Sequence, residues 1–227
     1  MYIKRLSLLS LVLFSSMASA FSLDEIACKF FNSANSCASL AFNYDDPKNP
    51  QHDEAKAYEF YVRACDLDNA TSCTNAGYIK SDGKTVTIDY ELAIKYSSKA
   101  CDLNDAQGCT NLGVIYDGQE AYRDYSKAFK AYQKACLLSH ADGCTYLGYL
   151  YESGQGVSTD KAKAYEFYSK GCNLGHNDGC YSAGIALVNG IGVKVDLNKA
   201  SEFLKKGCDL GSEDSCKDYN TLKAFIR

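Results

Sequence analysis

Gly171-Cys172-Asn173-Leu174-Gly175-His176-Asn177-Asp178-Gly179-Cys180 decides how this chain is read. Two cysteines stand seven residues apart, with a leucine two places after the first and a glycine just before the second. The same phrase returns at Cys65 and Cys73, Cys101 and Cys109, Cys136 and Cys144, and Cys208 and Cys216. A looser copy, with one more residue between, is Cys28 to Cys37. All 12 cysteines of the 227-residue chain belong to this device, so the chain is built from repeats.

Working outward from the first cysteine of each pair, the copies follow one another at steps of 36, 35, 36 and 36 residues, a period that fits a helix pair. Twelve places before each of these cysteines stands Asp53, Asp89, Asp124, Asp160 and Asp196. An aspartate at a fixed offset ahead of an apolar-periodic run is a helix start, because its carboxylate accepts bonds from the unpaired first-turn N–H groups and faces the positive end of the dipole. Ala164, Phe167, Tyr168 and Gly171 then share one helical face. This helix, B, is expected over about residues 53–67, 89–103, 124–138, 160–174 and 196–210, ended by Leu67, Leu103, Leu138, Leu174 and Leu210.

Helix A follows after three or four polar or small residues. Cys144, Leu147, Gly148 and Tyr151 share its inward face, and a glycine recurs in the same register at Gly77, Gly113, Gly148 and Gly184. A helix-interior glycine costs about 1 kcal/mol against alanine, so four of them imply close approach of a neighbouring helix. The A-to-B connections, such as Ser153-Gly154-Gln155-Gly156-Val157-Ser158-Thr159, carry glycines for positive φ and a valine to tuck inward. Ser22 to Phe31 reads as an incomplete first B helix, and Glu213 to Phe225 as a last A helix with a polar outer side. The whole is an all-α, right-handed α-solenoid, one domain over residues 21–227 with about five full repeats and capping helices.

Each cysteine pair flanks the short B-to-A turn, where small neighbours let the two Cβ atoms meet. Equivalent cysteines in adjacent repeats should lie about 10 Å apart, beyond bridging distance. The expected disulfides are therefore Cys28–Cys37, Cys65–Cys73, Cys101–Cys109, Cys136–Cys144, Cys172–Cys180 and Cys208–Cys216. A metal site needs Cys or His clusters at closer spacing, and a redox pair needs a two-residue gap; the seven-residue gap supplies neither. No metal and no cofactor is expected.

Lys4 and Arg5 followed by the apolar run Leu6 to Phe14 and by Ala18-Ser19-Ala20 read as a signal peptide over residues 1–20. No other segment is apolar enough to span a membrane. Export and regularly paired cysteines agree on an oxidising compartment, periplasmic or secreted. With 24 Lys and Arg against 28 Asp and Glu the chain is mildly acidic, which argues against nucleic acid as a partner. A monomer is expected.

Leu-Gly-x-x-Tyr, then Gly-x-Gly-Val, then Asp-x-x-Lys-Ala and an aromatic pair closing on Lys-Ala-Cys or Lys-Gly-Cys, most complete over residues 144–174, resembles the Sel1-like repeat, a relative of the tetratricopeptide repeat. With the cysteine pairs and the leader, the whole mature chain resembles more narrowly the Helicobacter cysteine-rich protein family, secreted Sel1-like proteins of Gram-negative bacteria. That resemblance implies binding and slow hydrolysis of β-lactams, a penicillin-binding or β-lactamase activity, with no catalytic residues to carry over. Phe60-Tyr61 and Phe167-Tyr168 stand where the family's aromatic pair usually has a tryptophan.

Read directly, the residues offer little catalysis. An acyl-serine enzyme needs Ser-x-x-Lys, present as Ser81 to Lys84 and Ser158 to Lys161, yet 22 serines and 20 lysines give about two such matches by chance. Both sit ahead of a helix start, where serine has capping reasons to be. His52, His140 and His176 form no zinc motif; the last two occupy equivalent turns and are expected to face solvent. No cysteine is left over as a nucleophile.

Binding has more to show. Asn75, Tyr78, Asn111, Tyr146 and Tyr149 lie off the core face of the A helices, where stacking would line them along an inner, concave groove. Ile79, Ile115 and Leu150 are expected to pack against the next repeat instead. The partner is then a protein or peptide, or a small molecule derived from β-lactam or peptidoglycan.

Overall fold

A computed structural model describes residues 22–84 and 86–226; the leader read over residues 1–20 lies outside them. Among the described residues there are twelve α-helices and no strand. They are α1 (Leu23–Phe31), α2 (Ala34–Asp45), α3 (Glu54–Asp66), α4 (Ala70–Asp82), α5 (Tyr90–Asp102), α6 (Ala106–Gly118), α7 (Tyr125–Leu137), α8 (Ala141–Ser153), α9 (Lys161–Asn173), α10 (Asn177–Asn189), α11 (Leu197–Asp209) and α12 (Glu213–Phe225), with one 3-10 turn at Glu120–Tyr122. Odd-numbered helices are the B helices and even-numbered ones the A helices. None of them is long and apolar enough to cross a membrane. Contacts divide the chain into two compact units, residues 1–96 and 97–227, with the division falling inside α5.

Every B helix after the first starts on its aspartate. Asp53, Asp124, Asp160 and Asp196 accept the backbone N–H of the residue three places on at 3.0, 3.0, 3.0 and 2.9 Å, and Asp89 does the same from Leu92 at 3.0 Å. The N–H bonds from Lys56 and Lys127 hold the Asp53 and Asp124 carboxyls below the usual carboxylate range. Each aspartate also donates its own N–H back to the end of the preceding A helix, at the carbonyls of Tyr44, Lys80, Tyr116, Tyr151 and Leu187. One residue thus caps the new helix and pins it to the old one. The connection between the anchors is one residue shorter from Tyr116 to Asp124, which is where the single 35-residue step arises.

The B helices end alike. In each, the residue after the leucine takes positive φ: Asp68, Asn104, Ser139, Gly175 and Gly211. The two N–H groups that follow the leucine reach back to the last turn, as from Asp68 to the Cys65 carbonyl and from Asn69 to that of Ala64, the Schellman arrangement. The second of these residues is already the N-cap of the next A helix: Asn69, Asp105, His140, His176 and Ser212. B and A are therefore joined by a turn of minimal length.

This turn brings the cysteines together. All six expected pairs are bonded, with Cα atoms 4.4 to 4.8 Å apart, and no cysteine is free. Small residues make the approach possible: a Cβ on Gly179 would lie 3.0 Å from the Cys172 nitrogen, and one on Gly143 would strike the Ala135 side chain.

The A-to-B contact has no covalent tie, and the in-register glycines provide it. In the second unit, Gly113, Gly148 and Gly184 lie against Tyr132, Tyr168 and Leu204 of the following B helix, and a Cβ on Gly148 would sit 2.7 Å from the Tyr168 ring. Tyr132, Leu147, Leu150, Tyr168, Leu187 and Leu204 are almost fully enclosed. In the first unit α3 packs on α2, and Ala57, Phe60, Tyr61 and Ala64 of the one and Leu40 and Ala41 of the other are buried. Ile115 and Leu150 are buried, and Ile79 is partly buried. Neighbouring B helices are tied as well, since Arg63 donates to the Lys29 carbonyl at 2.8 Å and Lys170 to that of Cys136 at 3.0 Å.

Replacing Cys172 and Cys180 by alanine together is expected to lower stability by about 2.6 kcal/mol, from the chain-entropy cost of a nine-residue loop, measured by urea unfolding under non-reducing conditions. Gly148→Ala, which leaves all six disulfides intact, is expected to cost about 1–3 kcal/mol by overpacking against Tyr168; an unchanged urea midpoint would show that the glycine is not there for close approach.

Candidate functional site on the A-helix face

In the first unit, Asn75 and Tyr78 of α4 line a cleft of about 200 Å³ with Asp45, Glu54, Asp82 and Lys84. The Tyr61 hydroxyl donates to Asp45 at 2.9 Å. Tyr78 is half exposed. Lys84 pairs with Asp82 at 3.0 Å, and that hydrogen bond and charge raise the lysine's pKa, the reverse of what a general base requires. The Ser81 hydroxyl donates to the Tyr78 carbonyl within its own helix, at 2.9 Å. Ser158 and Lys161 lie at the start of α9, both exposed.

The second unit concentrates the aromatics. Tyr146 of α8 lies 5.2 Å from the Tyr132 ring, 6.5 Å from Tyr149 and 6.1 Å from His176. Tyr149 meets Tyr168 edge-on at 5.1 Å, and its hydroxyl reaches Ser182 of α10 at 3.5 Å. Asn111 of α6 accepts from Gln107, one turn earlier, at 2.8 Å. The structure thus brings Tyr146 and Tyr149 together and gives Asn111 a partner on its own helix.

Three B-helix tyrosines in one register, four places before the first cysteine, end on an acid from the preceding A helix. Besides the Tyr61 pair, Tyr132 donates to Asp117 at 3.5 Å and Tyr168 to Glu152 at 2.6 Å. Burial, followed by the carboxylate beside each, pushes the Tyr132 phenol far up; burial and the hydrogen bond to Glu152 do so for Tyr168. Tyr146 and Tyr149 are raised too, by burial first; next come Asp142 and Asp178 at Tyr146, while at Tyr149 Asp178 and Glu152 add to it against an opposing bond to Ser182.

The histidines correct the sequence reading. Neither stands free in solvent: both are N-caps whose rings reach back to the preceding A helix. The Nδ1 of His140 lies 3.0 Å from the Thr110 hydroxyl and its Nε2 3.1 Å from Gln107. His176 is largely buried; its Nδ1 accepts the Gly179 N–H at 3.3 Å, which places its proton on Nε2, 3.6 Å from Asp142. Spacing put the two in equivalent turns, but only the turn's geometry aims them at the preceding A helix. Among the described residues no group of three or more His, Cys, Asp or Glu is placed to hold a metal.

A family model described as Sel1 repeat matches residues 34–69, 70–105, 106–140, 141–176 and 177–212. Each match runs from an A helix through the next B helix, so all six disulfides cross a repeat boundary. Among solved structures, the chain is similar to a Sel1 repeat protein from Oxalobacter formigenes, with 24% identity, a TM-score of 0.74, and 91% of this chain and 87% of that one covered. It is also similar to a protective antigen of uropathogenic Escherichia coli with an SLR fold, at 22% identity, a TM-score of 0.79, and 95% and 44% covered. These two likenesses show the fold. Helicobacter pylori cysteine rich protein B is 39% identical, with 60% of this chain and 98% of that one covered and a TM-score of 0.49. No curated protein sequence matches this one.

A tyrosine whose pKa is raised on folding contributes stability that is complete below the unfolded value near 10 and fades as pH rises above it. Stability is therefore expected to fall above about pH 10, with part of the tyrosinate absorbance appearing only on unfolding. Tyr168→Phe should reduce that late-ionising fraction; full ionisation of all tyrosines before unfolding would contradict the buried phenol–carboxylate pairs.

Proposed function

Because the chain belongs to the Sel1 repeat family, we propose that it is an exported, non-enzymatic adaptor that holds a protein or peptide on its A-helix face. The observation that carries this reading is the tyrosine group of the second unit, where Tyr146 and Tyr149 lie side by side and Tyr149 is more than a third exposed, beside a cleft of about 190 Å³. Aromatic rings anchored by packing, with accessible faces and polar tips, suit recognition at low entropic cost. Six disulfides with no free thiol suit an oxidising compartment outside the cytoplasm. A leader over residues 1–20, its removal to leave a repeat domain over 21–227, and delivery to the periplasm or medium of a Gram-negative bacterium complete the proposal, with Asn111 as a further position on the second unit's face and Asn75 and Tyr78 as recognition positions on the first unit's own.

Slow β-lactam hydrolysis, which the resemblance implies, has no observation behind it: Lys84 is engaged by Asp82 and Ser81 by its own helix. Nitrocefin turnover by the purified, disulfide-intact protein is expected at the buffer rate; turnover abolished by Ser81→Ala or Ser158→Ala would replace the adaptor with an enzyme. For binding, panning a random peptide library is expected to enrich sequences that lose at least tenfold in affinity for the Tyr146→Ala/Tyr149→Ala variant at unchanged far-UV circular dichroism. No enrichment, or binding indifferent to those two residues, would overturn the reading.

A further inference from the structure

Over α6 to α10 of the second unit, charge is sorted by helix layer, whereas α11 and α12 carry both signs. The A helices α6, α8 and α10 carry Asp117, Asp142, Glu152 and Asp178 and not one lysine or arginine. The B helices α7 and α9 carry six lysines between them and a single acid, Glu166. Those lysines have local work: Lys127 and Lys163 pair with the capping aspartates at 3.3 and 3.7 Å and lie over the Tyr116 and Tyr151 rings, and Lys170 binds the Cys136 carbonyl. Among the described residues, no lysine or arginine forms an ion pair with Asp142, Glu152 or Asp178, while Asp142 has the His176 ring at 3.6 Å and Glu152 the Tyr168 hydroxyl at 2.6 Å.

We propose that this A-helix face receives an extended polypeptide segment bearing lysine or arginine side chains. The inference rests on the adaptor reading and names the partner's chemistry. Carboxylates and accessible tyrosine rings on one face are what a cationic side chain requires, the first for its charge and the second for cation–π contact along its stem and head. The carboxylates do not converge as a metal site would. Instead Asp142 and Asp178 occupy the same register in successive repeats, about 10 Å apart by helix-packing distance. A chain in the polyproline conformation covers that distance in about one three-residue turn, so basic side chains three apart would face successive repeats. The neighbouring cleft, lined by Glu152, Tyr168, Tyr181, Ser182 and Ile185, is the size of one side chain and offers an apolar wall and a carboxylate. Lys161 also lines it, and its loss should tighten binding. The upward push of Asp142 and Asp178 on the Tyr146 phenol reports the same negative potential.

The test is fluorescence polarisation on the full, disulfide-intact chain. The probes are a twelve-residue labelled peptide with lysine at every third position in a Gly/Ala background, its glutamate and serine counterparts, and spermine as competitor. The lysine peptide is expected to bind, at least tenfold tighter than either counterpart, and to weaken as salt rises. Asp178→Asn and Asp142→Asn should each weaken it at least threefold, Lys161→Ala should strengthen it, and Glu166→Gln on the B face should change nothing; Asp178→Asn keeps the test open if loss of the His176 contact destabilises Asp142→Asn. Equal losses in Glu166→Gln, or spermine displacing the peptide at lower concentration than an unlabelled copy does, would overturn the proposal. If the serine or glutamate peptide binds in a Tyr146- and Tyr149-dependent way and the lysine peptide does not, this inference falls and the adaptor reading stands; if no peptide binds, both fall.

Discussion

Everything in this chain depends on how closely a B helix and the next A helix approach at their shared turn. Cα atoms under 5 Å apart confine the residues next to the bridge to small ones: Gly143 and Gly179 before the second cysteine, with Ser72 and Ser215 in the same place in other copies. The turn must also be short, which forces its middle residue into the left-handed region and makes one residue serve as both the end of one helix and the cap of the next. Covalent B-to-A junctions then alternate with non-covalent A-to-B contacts, in which glycine meets a tyrosine or leucine. Because the family's repeat unit begins at the A helix, the bridges fall between units and the packed contact falls within them. Each repeat is held inside by van der Waals fit and to its neighbour by a bond.

How much of this could be read beforehand follows from which features are local. The aspartate caps, the leucine stops, the cysteine pairs and the in-register glycines recur at fixed offsets, and each has one physical reason to be where it is. Gly175 and Gly211 announce a left-handed residue in the turn; Asp68, Asn104 and Ser139 occupy the same conformation without announcing it, because a polar side chain there tolerates what the motif demands. The tyrosine–acid pairs were hidden for another reason. Their partners lie 15 or 16 residues apart across a connection of variable length, so no single spacing marks Asp45, Asp117 and Glu152 as equivalent. The histidines misled because equivalence in sequence says nothing of direction; the N-cap position turns the ring toward the preceding A helix.

The candidate groove was legible as a column of positions and not as a site. Asn75 and Asn111 share a register with Tyr146, yet Asn111 is engaged by Gln107 while Tyr146 is set among other rings. Side-chain identity at one register therefore sets what each repeat offers, and the aromatic content gathers on α8 and its neighbours. The Ser-x-x-Lys matches show the converse. They satisfied a pattern, but the geometry of an A-helix end and a B-helix start gives their serines and lysines local partners or open solvent.

The layer sorting of charge connects scaffold to surface. A lysine three places after Asp53, Asp124 and Asp160 shields that carboxylate and lies over a ring, and Arg63 and Lys170, each two places before a first cysteine, bind the end of the previous B helix; both roles belong to B. Cations are thereby drawn to one layer by the needs of helix termini. The A helices have no such need, because their N-caps are supplied by the turn and their C-terminal carbonyls by the next aspartate's N–H. What remains among the charged and aromatic residues of α6, α8 and α10 is acid and tyrosine, on a scaffold whose turns are covalently fixed. A face held in this way loses little further freedom when it takes a partner, so weak, repeated contacts of one charge type can add up along it without first ordering the surface that makes them.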